Sequence, residues 1–562
     1  MSTQTTPLTG RRTPLLMVAA ILTAVTLTAG ACGASKSDST TAATTAGDSG
    51  VATTPAASGA KYNEGTPTDG GKLVWGLAAE TDSFSPLTGR WDVSGHMMGS
   101  AIFDPLTTLD DNGEPVPYLA ESLTPNADNT EWDIKLHSGV MFHDGTPLTA
   151  DVVVQNLTEA KKALITGKGL AGVKAVATID PLTVKVTTTQ PWATFPTALA
   201  SQIGYMAAPA MISDQHGGEH PVGTGPFKFK EWVQGDHMSA VKNASYWQKG
   251  LPHLDEIDFK IVTDDQQRVA DLADGTVDAM TTSTASSVTQ LRTMTDFNVL
   301  EDAKGEERFA TLNTAQPPFD NLKARQAMAY ATDINRYIAA IGPDVYQSVN
   351  GMFAPGQLGY TADSGYPAYD LAKAKQLVAD YTAETGQALS FTFLNTSTID
   401  DTKTSQLLKD MWEQAGMKVA LQNVGEQDEV VAVVLGKYQA ADWRNFGQPD
   451  PDGDYLWWHS SSVGQGADIS LNTARYATPA IDQALDGARA TTDKTTRNSL
   501  YQEAERQINA GAPYTWYARV TLAIGAEKQV RGYGEATNGS GGAIGPKTWV
   551  AKLWLEPAPT KP

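Results

Sequence analysis

Hydrophobic and polar positions fall into regular patterns from about Gly71 almost to the end of the chain. LVWGLA (73–78) predicts a strand, and GHMMGSAIFDPLTTLD (95–110) a helix that runs into a turn at Asp104-Pro105. In residues 131–164, EWDIKL alternates as a half-buried strand does, Asp144-Gly145 marks a turn, and a helix follows. Thr149 or Asp151 is placed to cap that helix, with Val152, Val153 and Leu157 on its buried side. VKAVATIDPLTVKVTTTQPW (173–192) reads as two alternating strands around Asp180-Pro181.

Beyond Leu322 the period becomes helical in LKARQAMAYATDINRYIAAI (322–341), DLAKAKQLVADYTAETG (370–386) and TSQLLKDMWEQAGM (404–417). LSFTFLN (389–395), KVALQNV (418–424) and KYQAADWRNF (437–446) are strands between those helices. The pattern is therefore α/β, strand-rich before about residue 300 and built of α/β units after it.

Residues 1–70 follow other rules. Arg11 and Arg12 precede an apolar run, residues 15–27, which suits the core of an export signal and is short of the ~20 residues that span a bilayer. The signal, residues 1–31, ends in Ala29-Gly30-Ala31 before Cys32, the single cysteine of the chain. A lone cysteine forms no internal disulfide, and this stretch resembles a bacterial lipobox, with Cys32 as the lipidated first residue of the mature protein. Residues 32–70 contain few large apolar side chains, too few to offset ordering entropy, so they are expected to be a flexible tether. The expected location is the outer face of a cell membrane, reached through the lipid anchor.

Length and charge narrow the function classes. A chain of 562 residues, 41% hydrophobic, builds more than one lobe. A net charge of −21 repels phosphate backbones and argues against a nucleic-acid partner.

Three stretches carry candidate chemistry. His216-Gly217-Gly218-Glu219-His220 spells H-x-x-E-H, but two glycines and Pro221 oppose the helix that a zinc site of that type needs. Asp450, Asp452 and Asp454 alternate as in a calcium loop, yet Tyr455 and Ser461 stand where such a loop has its glycine and bidentate glutamate. No metal or cofactor is therefore expected. The whole segment WRNFGQPDPDGDYLWWHSS (443–461) holds five aromatic residues, which leaves a stacking platform for a ligand as its leading reading and a carboxylate pair of a peptide or glycan hydrolase as the enzymatic alternative.

Four blocks carry a family resemblance: FHDGTPLTADVV (142–153), GTGPFKFKEW (223–232), NASYWQKGLPHLDEIDFKIV (243–262) and PPFDNLKARQAMAYATDINR (317–336). In order and spacing they resemble the family 5 solute-binding proteins, receptors of peptide, nickel and some oligosaccharide ABC importers. The resemblance implies a two-lobed periplasmic-binding-protein-like α/β fold of class II, with an extra subdomain on the first lobe and a cleft at the hinge. Mapped here, the first lobe covers residues 71–303 with its subdomain about 115–210, the second lobe 304–522, and 523–562 return to the first. The hinge strands are expected near residues 309–313 and 514–523, with Asn313 and Tyr514 as hinge positions.

The resemblance further implies a monomeric receptor without bond chemistry, which delivers a solute to ABC transporter permease subunits. In peptide-binding members a tryptophan is followed three residues later by an aspartate that holds the peptide's α-amino group; here Trp443 is followed by Phe446. That departure disfavours a zwitterionic dipeptide and points to a larger oligopeptide or peptide-like solute, with an oligosaccharide as the alternative. The candidate ligand-binding residues are Trp443, Arg444, Asn445, Phe446, Asp450 and Trp457.

Overall fold

The computed structural model describes Tyr62 and residues 64–110, 113–304, 306–445, 450–464, 468–533 and 549–557. The export signal, Cys32, most of the tether and Phe446 lie outside the described residues. No helix among those described is long and apolar enough to cross a membrane.

Two sheets organise the chain. The first has seven strands in the order Phe297–Asp302, Leu522–Glu527, Ala279–Thr282, Lys72–Leu77, Glu256–Ile261, His237–Lys242 and Phe227–Val233. Its central strand, KLVWGL, buries Leu73, Trp75 and Leu77 and runs parallel to both neighbours, as expected of a strand covered on both faces. The helix Val93–Ile102 packs against the strands Phe227–Val233 and His237–Lys242, started by Asp92, whose carboxylate accepts the Gly95 N–H at 2.8 Å.

A four-stranded antiparallel sheet, Ala120–Pro125, Glu131–Leu136, Thr183–Thr188 and Val173–Asp180, shares this core. Its alternation is the one in the sequence, with Trp132, Ile134 and Leu136 buried in EWDIKL. Thr149 caps the helix Ala150–Ala160 that lies on this sheet, and Val152, Val153 and Leu157 are buried.

The second main sheet has five strands in the order Lys418–Val424, Ser390–Thr396, Ala440–Asn445, Glu307–Leu312 and Tyr514–Arg519. The helices Leu322–Ala331, Leu371–Thr385 and Ile399–Gln414 cover one face with a core around Met328, Phe391 and Trp412. An aromatic core of Phe309, Tyr455, Trp458, Tyr514 and Trp516 lies on the other. The helical run at 322–341 is two helices and not one: it breaks at Thr332, and Asp333 caps Ile334–Ile341 by accepting the Arg336 N–H. A carboxylate that satisfies the next helix's first donors competes with helix continuation at its own position.

Chain crossings between the two sheets fall at 302–307 and 519–522, where strands of the first sheet meet strands of the second. The expected hinge positions Asn313 and Tyr514 are elsewhere. Both sit at the far end of their strands: Asn313 donates to the Gly436 and Tyr438 carbonyls, and Tyr514 packs edge-on against Phe309. The sequence located the hinge strands but not which of their ends is the hinge, because strand direction relative to the partner lobe is a tertiary property.

Candidate functional site

The strand Ala440–Asn445 is central in the second sheet, parallel to Ser390–Thr396 and antiparallel to Glu307–Leu312. Cross-strand register places Asn445 opposite Glu307, Arg444 opposite Arg308 and Trp443 opposite Phe309. Side chains alternate along a strand, so Trp443 and Asn445 project to one face while Asp442 and Arg444 project to the other. The candidate residues 443–445 thus present different chemistry on the two faces of one strand end.

On the first face, half-buried Trp443 lies at the edge of the aromatic core, where Phe309 meets Trp516 at 4.8 Å and Tyr514 at 5.0 Å between ring centres. Asn445 is 5% exposed and Glu307 4%. Among the described residues, Trp443 Nε1, Asn445 Oδ1 and Glu307 Oε2 are buried without a hydrogen-bond partner. The other carboxylate oxygen of Glu307 accepts from Arg519 at 3.1 Å. Unmade hydrogen bonds of this kind cost about 1–3 kcal/mol each, which favours any molecule that supplies the missing partner. Both Glu307 and Arg519 adjoin the chain crossings, so this polar set lies at the hinge end of the sheet.

Charge dominates the second face. Arg308 donates to Asp442 at 2.6 Å and to Asp401 at 2.7 Å. Burial works to raise the Asp401 pKa, but Arg308 and the hydroxyls of Thr396 and Thr398 outweigh it and hold the carboxyl at about 2. Asp442, deeper and beside Asp401, is pushed up to about 6 by burial. Glu429, on the helix Glu426–Val434, is pushed up to about 9 by burial and by the negative charges of Asp442 and Asp401. A carboxyl in such surroundings stays protonated at neutral pH.

Arg444 stands above this layer with its side chain 43% exposed, 3.1 Å from Glu426 and 3.9 Å from Glu306. Its charge is felt by Asp92, at the start of the first lobe's helix Val93–Ile102. Burial raises the Asp92 pKa, and the Gly95 N–H and, less strongly, the Arg444 charge oppose it. The Arg444 charge thus reaches an acidic group of the opposite lobe.

The remaining candidates divide. Trp457 is half-buried in the short helix Tyr455–Trp458, at the margin of the aromatic core. Asp450 is already engaged: its carboxylate receives Arg497 at 2.8 and 2.6 Å and the Asp452 N–H at 2.8 Å, all inside the second lobe. It offers no unpaired anion in place of the aspartate missing at Phe446. Asp452 is likewise met by Arg489 at 2.7 Å. His216 and Glu219 pair at 2.9 Å on an exposed turn without helix. Among the described residues no group of three or more His, Cys, Asp or Glu is placed to hold a metal ion.

Asp92, Glu306, Glu307 and Arg308 escaped sequence reasoning. One signal was present: Glu307 and Arg308 are charges that open an otherwise apolar strand, ERFATL, and charge in a buried strand asks for a partner.

Aromatic, amide and guanidinium groups thus gather at the end of the second sheet where the chain crosses between the two lobes. The sequence agrees with that geometry, for residues 114–467 match the model of bacterial extracellular solute-binding proteins, family 5. The chain belongs to this family. Among curated relatives, the glutathione-binding protein GsiB of Pectobacterium atrosepticum is 29% identical over 464 residues, which cover 79% of this chain and 87% of that protein.

Among solved structures, AgaA of A. tumefaciens R10 in complex with agropinic acid is 24% identical, with a TM-score of 0.78 over 86% of this chain and 99% of that one. DppA of Helicobacter pylori in complex with the peptide STSA is 23% identical, also with a TM-score of 0.78, over 87% of this chain and 99% of that one. These neighbours share the two-lobed α/β fold. As a family 5 protein the chain is a solute-binding protein, and its relatives are receptors and not enzymes.

Proposed function

We propose that this protein is a membrane-anchored extracytoplasmic receptor that captures an oligopeptide or peptide-like solute and delivers it to the permease of an ABC importer. Capture is by binding and lobe closure alone. A solute that touches both lobes stabilises the closed form by its differential affinity for it, and the permease recognises that form. The anchor is Cys32, acylated after removal of the export signal.

The observation that carries the solute class is the set of unpartnered polar atoms at the end of the strand Ala440–Asn445. Trp443 Nε1 is a donor, Asn445 Oδ1 and Glu307 Oε2 are acceptors, and a peptide group offers one acceptor and one donor to match them. Arg444 adds a half-exposed guanidinium suited to a carboxylate. Glutathione and the peptide STSA, bound by two of the similar proteins, are of this chemical class, while the agropinic acid of AgaA is not. Phe446 is assigned to the cleft wall by its place directly after Asn445 in the sequence.

The test is calorimetry with pooled tri- to hexapeptides against pooled oligosaccharides, on parent protein and on Asn445→Ala. The reading expects heat from the peptide pool only, with affinity reduced roughly 5- to 100-fold by loss of the amide. Binding of the saccharide pool alone, or turnover of either pool, would overturn it.

A further inference from the structure

The segment DPDGD (450–454), which has the carboxylate spacing of a cation loop, bridges the two lobes instead. Asp452 belongs to the second lobe, beside Tyr455 and Trp458 of its aromatic core, and is 6% exposed. One of its oxygens accepts from Trp192 Nε1 at 3.0 Å and from Thr194 Oγ1 at 2.8 Å. Trp192 is part of the other core, the one shared by the seven- and four-stranded sheets, and is 3% exposed. The second oxygen accepts from Arg489 Nε at 2.7 Å. One buried carboxylate is thus shared between donors from both lobes.

The surrounding contacts converge on the same point. The Arg489 guanidinium lies 4.3 Å from the ring centre of Trp192 in one lobe and 3.4 Å from that of Tyr455 in the other. The backbone continues the bridge, for the Ala193 N–H donates to the Arg489 carbonyl at 2.8 Å. Lys494 pairs with Glu114 at the margin. Leu456 comes close enough to Gly169 that a Cβ there would meet its Cδ1 at 3.8 Å. Asp450 fixes the turn from behind through Arg497, so the segment is held rigidly enough to place Asp452. None of these groups lies on the strand end assigned to the solute.

We infer that Asp452, with Arg489 on its own lobe and Trp192 and Thr194 on the other, is a latch that holds the lobes closed independently of solute. The inference rests on the reading of the chain as a two-lobed receptor that works by closure. Its consequence is a receptor whose closed form is populated before a solute arrives, so that solute contacts add to a bias already present. Burial opposes ionisation of Asp452, but Arg489, Thr194 and Trp192 outweigh it and keep the carboxyl below its usual range, so the latch is anionic at neutral pH.

Small-angle scattering of the solute-free full chain tests this, its solute-free state verified by denaturing mass spectrometry. Two variants are compared with the parent. Asp452→Asn removes the charge. Trp192→Phe combined with Thr194→Val removes only the donors on the first lobe and leaves the Asp452–Arg489 pair intact, so the second lobe keeps its packing. Both variants are expected to show a larger radius of gyration than the parent, and the double variant, which shortens the buried Trp192 ring, a melting temperature lower by only a few degrees. Peptide-pool dissociation should be faster by roughly tenfold in both, by a similar factor for every retained peptide, because the latch touches none of them.

Equal radii in all three proteins overturn the latch. A change in Asp452→Asn alone, accompanied by a lower melting temperature, also overturns it and makes Asp452 a packing residue of the second lobe. Because the scattering is done without solute, a pool that binds to none of the proteins counts against the peptide reading and leaves the latch result standing by itself.

Discussion

Glu429 gives the sharpest energetic expectation. Its carboxyl is 6% exposed, Oε1 has no hydrogen-bond partner among the described residues, and burial, with the charges of Asp442 and Asp401, raises its folded pKa from the ordinary 4.5 to about 9. A group raised on folding binds more protons in the native state than in the unfolded one between those two values. Its contribution to stability is fully present below pH 4.5 and is lost as the pH rises toward 9. Within that window the loss is about 1.4 kcal/mol per pH unit, so between pH 6.5 and 8.5 this one group removes about 2.7 kcal/mol.

Glu429→Gln keeps the shape and cannot titrate. Urea unfolding at the two pH values, followed by tryptophan fluorescence, should show the parent losing about 2–3 kcal/mol more than the variant. Asp442, at about 6, has largely titrated below this range, and Glu505, raised by burial to about 8, affects both proteins equally. The difference between the two slopes therefore isolates Glu429. Parallel losses in parent and variant would refute the reasoning and mean that Glu429 is ionised in the folded protein.

Other expectations concern the cleft and the anchor. Trp443→Ala should weaken binding of retained peptides by about 1–3 kcal/mol, measured by calorimetry, without lowering the melting temperature of the second lobe by more than a few degrees. Arg444→Ala should reduce affinity for peptides with a free carboxylate more than for their amidated forms, and equal losses would remove Arg444 from carboxylate recognition. Cys32→Ala should release the protein from the membrane fraction into the medium; retention of that variant with the signal removed would contradict lipidation.

Local features were legible in the sequence because they depend on neighbours along the chain. Thr149 caps its helix, EWDIKL alternates, and the strand ending at Asn445 lies where KYQAADWRNF placed it. The family blocks gave the two-lobed fold in the same way, as a pattern with fixed spacing. The partners of the aspartates were not legible. Asp452 meets residues 260 and 258 positions away in Trp192 and Thr194, and Asp450 meets Arg497 across 47. A DPDGD string carries no record of such distant donors, so cation loop, turn and bridge look alike until the chain is folded. The same holds for Arg444, whose charge is felt by Asp92 of the other lobe.

The central claim is solute capture at the strand end of residues 443–445. Its most direct test is mass spectrometry of what the protein carries when purified from its own host, released by denaturation, beside the Trp443→Ala and Arg444→Ala variants. The account predicts a peptide or peptide-like molecule near one per parent protein, and markedly less in both variants. An unrelated molecule class in the parent, or equal loading of all three proteins, would contradict it.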